Sequence, residues 1–380
     1  MRRFFLFVLL CAALLGGAAV CIHYRPAVQW ATTAGGLPIG SVHVHSELSH
    51  DGHVPVLAWA KAAGAAGLSF LVLTDHNRRG EKAEQLGTVT VLSEAELTTP
   101  YGHVLQLGGS KLLPEPDREK IDLLALLHEL GATAILAHPS DWKRPWVGPI
   151  SGAGGLEIAN RAAAMRRRAG PIFLGILPEL MAYPLRPELA LAQLYDRDTA
   201  ALRLWDGEPD PAVAGWCGND AHALMPLEYD LRGWVTVLNE PLPQASADRP
   251  SAIEHALASG RFFCAAGLVS GRPALTFTAR RQGVTVASAG DSIASESIDA
   301  LRVEVASANT NRWETVLLRD GEPIARTQTD LLDYIHPLKG TYRVEVLAPV
   351  PGLLFGERVV PVFYSNRIRV RSEAAVQASP

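Results

Sequence analysis

The chain has 380 residues, 48% of them hydrophobic, and a formal net charge of -4. That is enough apolar material for two or three domains with full cores, and the near-neutral balance excludes the basic footprint of a nucleic-acid-binding protein. The four cysteines are too few and too scattered for a disulfide framework and form no CxxC pair, so a metal site here must be built from histidine and carboxylate.

Residues 1–22 read as a signal peptide or a signal anchor. Arg2-Arg3 is a minimal positive start, and Phe4 to Ile22 is an uncharged apolar run of about bilayer-spanning length. Arg2-Arg3-Phe4-Phe5-Leu6 is a short match to the core of twin-arginine signals, and no good small-x-small cleavage site follows. Positive-inside reasoning puts the bulk of the chain outside the cytoplasm, periplasmic or extracellular, or held at a membrane by residues 4–22 if the segment is not cleaved. Residues 23–39, with Pro26, Gly35, Gly36 and Pro38, read as a linker.

From 40 to 271, short apolar runs alternate with helical stretches, the pattern of parallel βα units. Gly40 to Val44 is the first expected strand, and its period of two puts His43 and His45 on one face. Ser49 to Gly52 is a turn that can bring Asp51 back over them. Val56 to Ala66 reads as a helix stopped by Gly67, and Phe70 to Thr74 as a buried strand ending in Asp75-His76-Asn77. Thr88 to Leu92 and His103 to Leu107 are further strands, with Glu96 between them. Asp117 to Leu130 is expected as a helix capped by Gly131. Thr133 to Ala137 runs into His138-Pro139, Gly155 to Ile158 carries Glu157, Leu189 to Leu204 is helical in pattern, and Val213 to Cys217 leads to Asp220-Ala221-His222. Ser251 to Ser259 closes the series as a helix. Polar residues recur just after strands, the face where chemistry sits in a βα barrel.

From 272 to 371 the pattern alternates apolar and polar residues, as in Leu301-Arg302-Val303-Glu304-Val305, and Asp320-Gly321 is a hairpin signal. This predicts a small all-β, immunoglobulin-like sandwich. Residues 372–380 read as a disordered tail.

Four motifs in order, His43-Val44-His45, Thr74-Asp75-His76-Asn77, Ala137-His138-Pro139 and Asp220-Ala221-His222, resemble those of the PHP family, named for polymerase and histidinol phosphatase, over about residues 40–271. The resemblance implies an α/β fold, a distorted (β/α)7 barrel, with two or three divalent ions of zinc, manganese or iron. It implies His43, His45, Glu96 and Asp220 on one ion, Glu96 with His103 and His138 on a second, and Asp51, His76 and His222 on a third. His50 competes with Asp51, because the family often has Ser-Asp-Gly where this chain has Ser49-His50-Asp51-Gly52.

Asp75 and Glu157 are the candidate catalytic carboxylates, Asp75 as a group that orients a ligand or a water. Arg78, Arg144 and Arg161, with Arg79 and Lys143, are candidates to clamp an anionic substrate. Arg166-Arg167-Arg168 reads as a solvated face, and His53, His128, His255 and His336 as unrelated to metal. No Gly-x-Ser-x-Gly nucleophile motif occurs. The expected activity is metal-dependent hydrolysis of a small-molecule phosphoester. The alternative is a carboxyl ester or carbamate, as in exported carbaryl-hydrolase-like members with a C-terminal β-sandwich. A third reading is a non-catalytic surface protein stabilised by its metals.

Overall fold

The structure is a computed structural model that describes residues 10–11, 13–14, 16–17, 36–80, 83–169, 183–184, 186–208, 212–270, 275–306, 312–351 and 357–377. The expected leader and linker therefore lie almost wholly outside the described residues. No helix among the described residues is long and apolar enough to cross a membrane.

The first half is a mixed α/β unit. Its strands are β1 (Ile39–Val44), β2 (Phe70–His76), β3 (Glu84–Leu86), β4 (Val89–Thr99), β5 (Gly102–Gly108), β6 (Ala132–Leu136), β7 (Gly155–Asn160), β8 (Ala214–Gly218), β9 (Trp234–Leu238) and β10 (Phe262–Ala266). They follow the order β10-β9-β1-β2-β4-β5-β6-β7-β8 within one large sheet. The pairs β1–β2, β2–β4, β6–β7 and β7–β8 are parallel, while β5 runs antiparallel to both β4 and β6. Runs such as Leu71-Val72-Leu73 are buried throughout, as parallel strands covered on both faces must be.

The sheet curls back on itself. Past the end of β8, Asn219 and Ala221 donate backbone hydrogen bonds to Val42 and His43, each 3.1 Å, and His45 donates to Ala221 at 3.0 Å. Two expected helices are broken. The 117–130 stretch is a 3-10 turn at Glu115–Glu119 and a helix at Leu123–Glu129, and the 189–204 stretch divides into Pro187–Ala192 and Thr199–Asp206. In the second case Asp198 caps the new start by accepting from Ala201.

The second half is mostly strand: β11 (Leu275–Arg281), β12 (Val284–Ser288), β13 (Ser292–Ala294), β14 (Ala300–Val305), β15 (Glu314–Arg319), β16 (Glu322–Thr327), β17 (Leu331–Ile335), β18 (Gly340–Pro351), β19 (Glu357–Ser365) and β20 (Ile368–Arg371). One sheet is β12-β11-β14-β17; the other strands belong to the large sheet, because β19 pairs antiparallel with β10. Backbone hydrogen bonds thus join both sides of the expected boundary at 271. Glu373–Gln377, where a disordered tail was expected, is a short helix. Cys217 of β8 and Cys264 of β10 form a disulfide that composition alone argued against. Their separation of 47 residues hides a pairing that only the folded chain creates.

Candidate metal centre

Strand ends deliver the site. The register of β1 slips between Val42 and Val44, and His43 there has φ 63°. Simple alternation is therefore not what aims the first histidine; a bulge is. His43 Nε2 nonetheless lies 3.2 Å from Glu96 Oε2 and 3.7 Å from Asp220 Oδ1, while His45 Nε2 lies 3.3 and 3.4 Å from the same atoms. His138 (φ 63°) and Asp220 (φ 51°) are also left-handed. Such conformations are uncommon for residues other than glycine, and they gather where a fold holds a functional geometry under strain.

Glu96 is the hub. β4 is longer than the sequence pattern implied, so Glu96 sits inside a strand, opposite His76 and fully buried. Its Oε2 faces His43, His45 and His76, the last at 3.4 Å; its Oε1 meets His103 Nδ1 at 2.7 Å and His138 Nε2 at 3.1 Å. At one flank Asp51 Oδ2 is 3.1 Å from His222 Nε2 and 3.4 Å from His76 Nε2.

Three groups of side chains that could hold an ion result: His43, His45, Glu96 and Asp220; His76, Glu96 and His103; and His45, Asp51, His76 and His222. In each the donor atoms lie within 4.8 Å of one another. All nine expected ligands meet in one place, but the division differs from the expected one. His45 and His76 are each shared by two groups, and His138 touches Glu96 while standing outside all three. Asp51 joins a group; His50 does not, although its ring lies 5.0 Å from that of His76.

A second layer fixes the first. Glu157 Oε1 accepts from His43 Nδ1 at 2.7 Å, which leaves Nε2 for the cluster, and Asn160 Nδ2 holds the other oxygen at 2.8 Å. A Cβ on Gly218 would come within 1.7 Å of Glu157 Oε1, so glycine is required there. Asp75 accepts from Ser46 N at 2.6 Å and Ser46 Oγ at 2.8 Å, which fixes the turn that carries Asp51. Both candidate catalytic carboxylates are thus engaged in holding other site residues.

The expected anion clamps are not brought to the cluster. Arg161 is buried and paired with Asp230 at 2.7 Å; Arg78, Lys143 and Arg144 are exposed; Arg79 is locked on Glu94 at 2.7 Å. The expectation of a solvated face at Arg166 and Arg167 is overturned. Arg166 bonds Asp141 at 2.6 Å and Asp220 at 3.2 Å, and Arg167 pairs with Asp196 and Asp198. Sequence reasoning also missed Asp141 and Asn219. Fully buried Asn219 ties Ser41 to Trp234, and its place just before Asp220 was the available signal.

The electrostatics favour cations. Burial opposes charge on His43, but Glu157 and Glu96 overcome it and hold its pKa well above 6.5. Burial likewise opposes charge on His45, yet the adjacent carboxylates of Asp220 and Glu96 raise it to about 9. Burial would raise Glu96 and Asp220, and the surrounding imidazoles instead hold both well below ordinary carboxylates. For His76 burial prevails and lowers it to about 4. Carboxylates that keep protons on neighbouring imidazoles would as readily hold divalent ions. His45 Nε2, His76 Nδ1 and His138 Nδ1 are buried without a hydrogen-bond partner, and such orphans need an explanation. Imidazole and carboxylate suit zinc, manganese or iron. The residues present therefore fit a site for metal ions.

No family model matches this chain, and no curated protein does. Among solved structures, one match is the crystal structure of a two-domain protein containing a predicted PHP-like metal-dependent phosphoesterase from Bacteroides vulgatus ATCC 8482. It covers 89% of this chain and 99% of that one at 13% identity, with a TM-score of 0.39, a similarity too loose to carry an argument about fold or activity.

Proposed function

We propose that this protein is a metal-dependent hydrolase of phosphoesterase type, its curled sheet a distorted (β/α)7 barrel of the PHP kind. The observation that carries the reading is the convergence of eight His and Asp side chains around buried Glu96, whose two oxygens face different sets of imidazoles. His43, His45, Glu96 and Asp220 would hold one ion, with His103 and His138 around the other oxygen of Glu96 and Asp51, His76 and His222 at the flank. When bound, such ions supply an activated water and positive charge against the attacked oxygen. Glu157 keeps His43 in the tautomer that presents Nε2, and Asp75 keeps the Asp51 turn in place.

A carboxyl-ester or carbamate substrate is the second reading. It is favoured by Trp142 (65% exposed) and Leu224 (76% exposed), apolar side chains on the segments that follow His138 and His222. We further propose that the protein is exported. The Cys217–Cys264 disulfide supports this, since such bonds persist in oxidising compartments. The substrate would be a small molecule, not nucleic acid.

The test is metal content of the protein as purified, with side-by-side hydrolysis of p-nitrophenyl phosphate and p-nitrophenyl acetate. Two or three ions per chain with faster phosphate hydrolysis is the expected result. A metal-free, inactive protein would overturn the reading, and faster acetate hydrolysis would move it to the carboxyl ester.

A further inference from the structure

Among the described side chains, one arginine or lysine, Arg166, forms an ion pair with a carboxylate of the three metal-holding groups. It belongs to the helix Arg161–Ala169, which starts directly after β7. Its Nη2 alone carries both of its ion pairs, to Asp141 Oδ2 and to Asp220 Oδ2. The other oxygen of Asp220 faces His43 and His45, so the guanidinium stands one carboxylate away from where an ion would sit.

A guanidinium has five N–H donors. Here Nε is buried with no partner, and Nη1 bonds none of the described residues, while the side chain keeps 28% of its surface open. A guanidinium beside divalent cations is repelled unless further negative charge arrives, and Asp220 is already shared with the metal-holding group. The position is also built and held from both sides. Asp141 is 2% exposed; Ser140 beside it bonds Asp198, and Arg167 grips Asp196 and Asp198. A solvated surface arginine would have none of this support.

We propose that Arg166 recognises a negatively charged oxygen of the substrate next to where the metal ions would sit, a phosphoryl oxygen offered to its free Nη1 N–H. The site would thereby favour phosphate esters over neutral carboxyl esters. This rests on the metal-centre reading above and adds to it the group that selects substrate charge. A guanidinium N–H of fixed direction gives a phosphoryl oxygen a charge-assisted bond that a flexible ammonium does not reproduce.

The experiment uses the full metal-loaded chain as wild type, Arg166→Lys and Arg166→Gln. Metal content is measured by atomic emission and inorganic phosphate binding by calorimetry. The expected result is equal metal content, phosphate binding about 10–100-fold weaker in Arg166→Gln, the worth of a charged hydrogen bond, and intermediate binding in Arg166→Lys. Equal phosphate affinity in all three proteins overturns the proposal. So does a loss of metal from both variants that tracks the loss of phosphate, because Arg166 would then only position Asp220. A wild type that holds metal but not phosphate sinks this inference and leaves the metal centre standing. A wild type that holds no metal sinks the metal centre first.

Discussion

Two groups of charges are buried in this molecule, and they are built differently. Around Glu96, carboxylates and imidazoles crowd together with polar atoms left over, and three residues there take left-handed backbone. At the seam between the halves, Arg343 grips both oxygens of Asp206 at 2.7 Å and Glu345 at 2.6 Å, while Arg197 takes Glu345 with two bonds of 2.7 and 2.8 Å. Arg367 stacks over Trp205 at 4.2 Å beside them. At the seam, side chains of opposite sign answer one another in two-pronged pairs, as a structural network requires. At the cluster the groups are matched to something of high positive charge. The comparison teaches that burial alone does not mark a functional site; imidazoles and carboxylates converging on one buried glutamate do.

The sharpest way to break the comparison is to remove cluster members. Asp220→Ala and His45→Ala should each drop hydrolysis to background and lower bound metal, with circular dichroism unchanged; retained activity in both would place the chemistry elsewhere. The seam should respond oppositely. Arg343→Met leaves Glu345 to Arg197 alone and Asp206 to Arg367 at 4.0 Å, and should cost about 3 kcal/mol in urea unfolding, with metal content unaltered at low urea.

The disulfide tests how far the two regions are coupled, since it ties β8, which leads to Asp220, to β10, which pairs with β19. Replacing both cysteines by serine should lower unfolding free energy by about 2–4 kcal/mol. A smaller change appears one layer out from the metals: Glu157→Gln should weaken metal binding by about 10–100-fold, measured by competition with a chelator dye.

The gentlest test is pH. Burial would raise Glu345, but Arg197 and Arg343 lower it below its ordinary 4.5. A carboxylate depressed in the folded state contributes stability above its unfolded pKa and loses it as pH falls through the folded value. Unfolding free energy should therefore decline below about pH 4.5, and less steeply in Glu345→Gln.

Much of the site was legible because its chemistry needs particular residue types just after strands. Histidine pairs and the Asp220-Ala221-His222 segment stand out against an ordinary background, and the folded chain brings eight of the nine into three groups and sets His138 against Glu96. Which imidazole is shared with which carboxylate was not legible, because it depends on the slip in β1 and on Glu96 lying within a longer β4. The role of Arg166 was hidden too. Three consecutive arginines look like a wet surface until a fold places Asp141 and Asp220 against one of them.

The amino-acid order by itself determined that a βα unit precedes a β unit, and that histidines and acids end the strands of the first. Local period and residue type suffice for that. Only the tertiary structure decided that β10 and β19 make one sheet of both halves, that Cys217 meets Cys264, and that the Arg166 guanidinium pairs with Asp220. Each of these is a contact between segments far apart in the chain, and no local pattern encodes the closing of such distances.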